Sequence, residues 1–189
     1  MADPKIRTTD EEQPVAHPLV ARLREGVSNA VLASHAFRAD VTVIVPRDEL
    51  LAVCRFLRDD AELRFDMLVD VTAVDYLGRI PRFEVVYHLY SVPLNQRIRI
   101  KVALEESDPR LPSLVSIWAG ANWLERETWD LYGIVFVGHP NPQRIYLYEE
   151  FQGHPLRKDY PKAKRQPLIG PGSANAADAG IGPVRRDVG

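Results

Sequence analysis

Glu125, Glu127 and Asp130, with Arg126 between them, fall in one short run, ERETWDLY. Paired carboxylates on one helix face are the usual equipment of general acid–base catalysis. At helical spacing Glu127 and Asp130 share a face, and Arg126 can pair with Asp130 one turn on. The competing reading is a solvated, salt-bridged helix. Trp123, Trp129 and Tyr132 weigh against it, because aromatics around most of the circumference leave no simple exposed side.

His139 and His154 sit in identical Gly-His-Pro triplets, Gly138–Pro140 and Gly153–Pro155. Catalytic zinc takes three protein ligands, and the remaining histidines (His17, His35, His88) fall on a terminus, early helices or a strand. As an acid–base dyad the pair has no nucleophile to serve. The favoured reading is structural: glycine opens the backbone, proline fixes the exit, and imidazole bonds carbonyls left free by irregular chain. The second triplet runs into Leu156, Arg157, Lys158, Asp159 and Tyr160, a basic pair, an acid and an aromatic. Nucleic acid exploits such groups, but the patch is short and a clamp on a protein partner uses the same chemistry. No phosphate-binding glycine loop, HExxH or CxxC occurs.

The chain has 189 residues, 46% hydrophobic and 26% charged, with net charge −2. That suits one domain with a sizeable core and excludes a polybasic nucleic-acid binder. Charge is uneven: from Gln152 onward there are seven Lys/Arg against three acids. Cys54 is alone, which excludes an internal disulfide and any cysteine-ligated cluster within the chain. Its setting, LLAVCRFL, reads as a buried thiol on a helix. No signal peptide or membrane-spanning run is present, so membrane contact is expected only through another protein.

The elements that must position these residues read as follows. Residues 1–17 are polar and frayed. Leu19–Phe37 carries a helical stripe, Val41–Val45 is a buried strand, and Asp48 caps a helix over Glu49–Arg58. Leu63–Tyr76, Arg82–Val92 and Arg97–Leu104 are turn-linked strands, the last with one wet face. Ser113 caps a short helix to Trp118. Asn122 is the N-cap of the ERETWDLY helix, Glu125 completing a capping box, and Gly133 ends it. The fold class is α+β, a mixed or antiparallel sheet with helices packed on it, over residues 18–137. An extended, proline-fixed segment (138–166) and a disordered Gly/Ala-rich tail (167–189) follow.

NWLERETWDLYGIVFVGHPNPQRIYL followed by GHPLRKDYP closely resembles the signature of the 30 kDa-type subunit family (the C subunit) of the proton-pumping NADH:quinone oxidoreductase, respiratory complex I. FDMLVDVTAVDY, RFEVVYHLYSV and SIWAGANW are similar to the family's upstream segments, so the resemblance covers Phe65 to Pro161. One departure is visible: Pro142, Gln143 and Arg144 stand where the family usually has a leucine and two basic residues. The resemblance implies a peripheral-arm subunit without cofactors of its own, while FMN, iron–sulfur clusters, NADH and quinone are handled by other subunits. The partners it implies are the large quinone-site subunit (the D subunit) and the neighbouring iron–sulfur subunits B, I and G. It places the complex at the cytoplasmic face of the bacterial inner membrane. Glu125, Arg126, Glu127, Asp130, Gly138, His139, Pro140 and Arg144 become a folding and docking cluster. Gly153, His154, Pro155, Leu156, Arg157, Lys158, Asp159 and Tyr160 become the contact that wraps the quinone-site neighbour. On this reading Arg157→Ala or Asp159→Ala lowers complex assembly with little effect on the domain's own fold. Two alternatives stay open: the equivalent subunit of a ferredoxin-dependent or hydrogenase complex, and a stand-alone acid–base enzyme.

Overall fold

The computed structural model describes residues 13–14, 17–28, 30–38, 40–164 and 166. The expected disordered tail (167–189) and most of the expected frayed N-terminus lie outside the described residues. Gln13–Pro14 of that N-terminus form a two-residue strand, β1, paired with Ala36 and His35. The chain then runs α1 (Pro18–Gly26), β2 (Ala33–Phe37), β3 (Asp40–Ile44), α2 (Leu50–Asp59), β4 (Met67–Asp75), β5 (Phe83–Ser91), β6 (Gln96–Leu104), β7 (Arg110–Pro112), α3 (Ala121–Tyr132) and β8 (Val135–Val137).

Six strands form one mixed sheet in the order β1-β2-β3-β6-β5-β4, and β7 pairs with β8 in a small parallel ribbon. β4, β5 and β6 are an antiparallel meander, and β6 returns to lie parallel to β3. Helices packed on a mixed sheet make the fold α+β. Alternation in β6 sets the two faces: Ile98, Ile100, Val102 and Leu104 are buried, while Arg99 donates to Thr42 Oγ1 and Lys101 pairs with Glu84. The buried face meets Leu19, Val20 and Leu23 of α1 and Leu50, Val53, Cys54 and Leu57 of α2. Burying each large aliphatic side chain contributes about 1.5–3 kcal/mol.

Three local expectations give way to packing. The stripe from Leu19 to Phe37 is not one helix: α1 ends at Gly26, which lies against the Phe56 ring with no space for a Cβ. Ala33–Phe37 instead gains a full antiparallel ladder with β3. Asp48 lies inside a single 3₁₀ turn, Arg47–Glu49, and caps nothing with its side chain. Ser113–Trp118 is one isolated turn, closed by Trp118 N–H donating to the Leu114 carbonyl, not a helix.

α3 packs against the edge strand β4, and Thr128 Oγ1 donates to the Val71 carbonyl at 3.1 Å. The buried residues of α3 are Ala121, Glu125, Thr128 and Asp130, and Leu124, Trp129 and Tyr132 pack half-buried against the core.

Tyr87, on β5, is fully buried, and its hydroxyl has no hydrogen-bond partner among the described residues. Removing an unpaired buried hydroxyl relieves a desolvation penalty. Tyr87→Phe is therefore expected to leave stability unchanged or raise it by about 1 kcal/mol in urea unfolding. A loss of that size would reveal a hydrogen bond in solution.

Candidate functional site

The N-cap of α3 is Gly120, not Asn122, and no side chain caps the helix. The capping box therefore does not form, and Glu125 turns inward instead. Its carboxylate accepts from Ser113 Oγ (2.7 Å) and from the Leu114 N–H (2.6 Å), fixing the loop before α3 to the helix. Glu125 is fully buried and makes no ion pair among the described residues. Burial raises its pKa to about 7 against the two hydrogen bonds that oppose the shift.

Asp130 has the opposite surroundings. The expected Arg126–Asp130 pair does not form, because each residue has a better partner in the irregular chain. Arg126 donates to the carbonyls of Gln143 and Arg144. Asp130 accepts from Arg144 Nη1 (2.6 Å) and from three successive amides, those of Ile145, Tyr146 and Leu147. Burial pushes the Asp130 pKa up, but the Tyr146 and Leu147 amides, Arg144 and Ile145 outweigh it, and the net shift is downward. Glu127 is half-buried and makes no hydrogen bond or ion pair among the described residues.

The second Gly-His-Pro motif closes the other end of α3. A helix leaves its last carbonyls unsatisfied. Gly133 N–H returns to the Trp129 carbonyl at 2.8 Å, in the left-handed conformation (φ +75°). The next three carbonyls are met from residues 154–157. His154 Nδ1 lies 2.9 Å from Asp130 O, Leu156 N–H donates to Leu131 O, and Arg157 Nε donates to Tyr132 O at 2.5 Å. Cationic Arg157 also suits the negative end of the helix dipole. A Cβ on Gly133 would fall 2.5 Å from the His154 ring and 2.7 Å from Arg157.

His139 ties the irregular segment to the first turn of α3, through a carbonyl and not through the helix's free first amides. Its Nδ1 accepts from the Asn141 N–H, so Nε2 carries the proton and donates to Asn122 O at 3.1 Å. The bordering Gly138 is at φ +84°, and Pro140 follows. Gly153, at φ +98°, leads through His154 and Pro155 to the capping residues, and the Tyr160 ring stacks on Phe151.

A charged cluster, not singled out from sequence, anchors the same segment to the sheet. Arg82 is buried and forks onto both Asp75 oxygens at 2.9 Å. Its guanidinium also reaches Glu106 and Asp159, and Asp75 accepts the Lys158 N–H at 2.8 Å. Hydrogen bonding to Arg82 is the main cause that lowers the Asp75 and Asp159 pKa values. The one available signal was positional: Asp75 and Arg82 flank a turn between two apolar strands. Arg157 and Asp159 are thus committed to this domain, contrary to the expectation that their removal spares its fold. Among the described residues no three His, Cys, Asp or Glu side chains converge to hold a metal ion. No described helix is long and apolar enough to cross a membrane.

Fold and site define a small α+β domain whose last helix is braced at both ends by its own irregular C-terminal segment. Residues 43–166 match the family described as "Respiratory-chain NADH dehydrogenase, 30 Kd subunit". Proteins named as the C subunit of NADH-quinone oxidoreductase are similar in sequence. That of Roseiflexus sp. (strain RS-1) is 52% identical over 76% of this chain and 82% of its own length. That of Geotalea uraniireducens is 49% identical over 75% and 85%. A solved chain described as from the membrane-bound sulfane sulfur reductase, an archaeal respiratory membrane complex, shares the fold. It has TM-score 0.66 and 23% identity, covering 77% of this chain and 85% of that one. The chain belongs to the 30 kDa subunit family of respiratory-chain NADH dehydrogenase, whose members are subunits of a multi-subunit complex.

Gly133→Ala combines a disfavoured φ with a collision against His154 and Arg157. It is expected to cost at least about 2 kcal/mol in urea unfolding. Gly120→Ala, at φ −62° with open space around it, is the control expected to cost far less.

The pH response separates the carboxylates. Glu125 binds its proton more tightly folded than unfolded, so stability falls as pH rises from its ordinary pKa to about 7. This term amounts to about 3 kcal/mol. Asp75, Asp130 and Asp159 act oppositely: their contribution is present above the ordinary aspartate range and is lost as pH falls through their lowered pKa values. Chemical denaturation across pH 4–8 is expected to show the Glu125 slope in the wild type and its loss in Glu125→Gln.

Proposed function

We propose that this chain is a scaffold in the peripheral arm of NADH:quinone oxidoreductase and carries no cofactor of its own. It holds the large quinone-site subunit beside the iron–sulfur subunits of the arm while electrons pass from NADH through FMN and the clusters to quinone. In this reading the complex lies at the cytoplasmic face of the bacterial inner membrane, and this chain touches the membrane only through its neighbours.

One observation carries the reading. The chemistry-bearing groups of the signature (Glu125, Arg126, Asp130, His139, Arg144, His154, Arg157, Asp159) spend their bonds on backbone groups, on each other and on Ser113 and Arg82 of the same domain. Such bracing supports a rigid platform in preference to an acid–base centre. Rigidity matters to a neighbour's chemistry, because a displacement of about 1 Å at a reacting site can cost about a hundredfold in rate. The names of the similar proteins support the choice of complex.

The test is recovery of the tagged chain from membranes of its native host in mild detergent. The expected result is a large assembly containing flavin- and cluster-bearing subunits and the quinone-site subunit. Recovery of the chain alone would overturn the reading, and hydrogenase-type partners would reassign the electron donor.

A further inference from the structure

The Ser113–Trp118 turn is short, yet it covers the core with Leu114, Ile117 and Trp118, all buried. It hangs between two fixed points. Ser113 N–H donates to Val137 O in the β7–β8 ribbon, and Ala121 N–H donates to Trp118 O where α3 starts. From α2, Arg58 Nη1 donates to Ile117 O at 3.1 Å, and Trp118 Nε1 reaches Phe65 O at the same distance. The side-chain tie to α3 is Glu125, whose two oxygens meet Ser113 Oγ and the Leu114 N–H. Ser113 Oγ accepts in turn from Val115 N–H at 3.2 Å, so this one carboxyl orders three successive residues of the turn.

No cation among the described residues pairs with that carboxyl. Cys54 of α2 and Tyr87 of β5 lie within electrostatic reach of it, and burial keeps both neutral around physiological pH. On its other side a cavity of about 40 Å³ is lined by Glu125, Arg126, Trp129, Phe136, His139 and Pro142. Arg126 turns its guanidinium to the Gln143 and Arg144 carbonyls, and His139 commits Nε2 to Asn122 O. A neutral carboxyl satisfies both turn contacts, one oxygen accepting from Leu114 and the other donating its proton to Ser113 Oγ. An ionised one keeps the contacts but is left without a counter-charge in an apolar wall, and reaching water relieves it.

We propose that Glu125 is a proton-operated latch on the Ser113–Trp118 turn: protonated it holds the turn against α3, and ionised it lets the turn open while the sheet stays paired. The device goes beyond the scaffold reading and stands independently of it. Gly120, with open space where a side chain would be, gives the backbone a place to pivot. Burial sets the working range. It raises the Glu125 pKa to about 7 in the closed form, against an ordinary 4.5 once water reaches the group. The hold is therefore complete below the ordinary value, weakens as pH rises to about 7, and changes little above. Asp75, Asp130 and Asp159, with lowered pKa values, stay ionised across that window and do not contribute to the change.

Amide hydrogen exchange of the full chain, read by NMR where the rate reports the opening equilibrium, supplies the test. After correction for intrinsic exchange, Leu114 and Val115 are expected to lose about fiftyfold in protection between pH 5 and pH 7.5, with little further loss to pH 9. At every pH they are expected to exchange faster than Val85 and Tyr87 of β5, which lies between β4 and β6. Glu125→Gln keeps both turn contacts and cannot ionise, so it is expected to hold its pH 5 protection throughout. The carbon shift of the wild-type Glu125 carboxyl locates the titration without any variant. Titration in the ordinary glutamate range, or near pH 7 with Leu114 and Val115 equally protected throughout, would overturn the latch. So would exchange of the turn only in step with β5. A loss that persists in Glu125→Gln would assign the effect to His139 across the cavity and overturn the latch as well.

Discussion

Three main-chain carbonyls at the end of α3 organise the surrounding half of this domain. Asp130, Leu131 and Tyr132 come too late in the helix to be satisfied within it, and a buried carbonyl without a partner costs about 1–3 kcal/mol. The chain answers with a second segment that turns back across the helix end and supplies an imidazole, an amide and a guanidinium. Gly133 has to be glycine because that segment comes so close. Arg82 is buried where it ties Asp75 of the sheet to Asp159 of the segment that carries the cap.

Around the same helix, two carboxylates about one turn and a half apart are driven to opposite ionisation states. Glu125 meets only neutral donors in an apolar wall and keeps its proton up to about neutrality. Asp130 meets a guanidinium and a row of amides and stays anionic far below it. The sequence presents both as members of one acidic run. The difference comes from what packs against each: the Ser113–Leu114 turn on one side and residues 144–147 on the other.

That contrast marks how far the residues alone could be read. The strands over Val41–Val45, Arg82–Val92 and Arg97–Leu104, the stop at Gly133 and the carbonyl-binding histidines were legible, because alternation, left-handed glycine and imidazole chemistry are local. The family was legible from the signature itself. Ala33–Phe37 was not, since its helical periodicity is overruled by pairing with β3. Glu125 matched a capping box because spacing cannot say whether Ser113 will be closer than the helix's own first amides. The Asp75–Arg82 anchor left only a weak positional trace, as its partners are distant in sequence.

The bond between the Lys158 amide and Asp75 joins positions 83 residues apart. The β4–β5–β6 meander, by contrast, is built from neighbours. During synthesis, which runs from the N-terminus, strands and helices can pair while α3 still ends in bare carbonyls and Arg82 lacks one of its acids. Closing so long a loop carries an entropic cost that only the completed set of bonds offsets. The segment that finishes the domain is therefore the last to be made. A nascent chain stays incomplete until the ribosome has passed Asp159, so the braced form of α3 is itself a sign that nearly all of the domain has been translated.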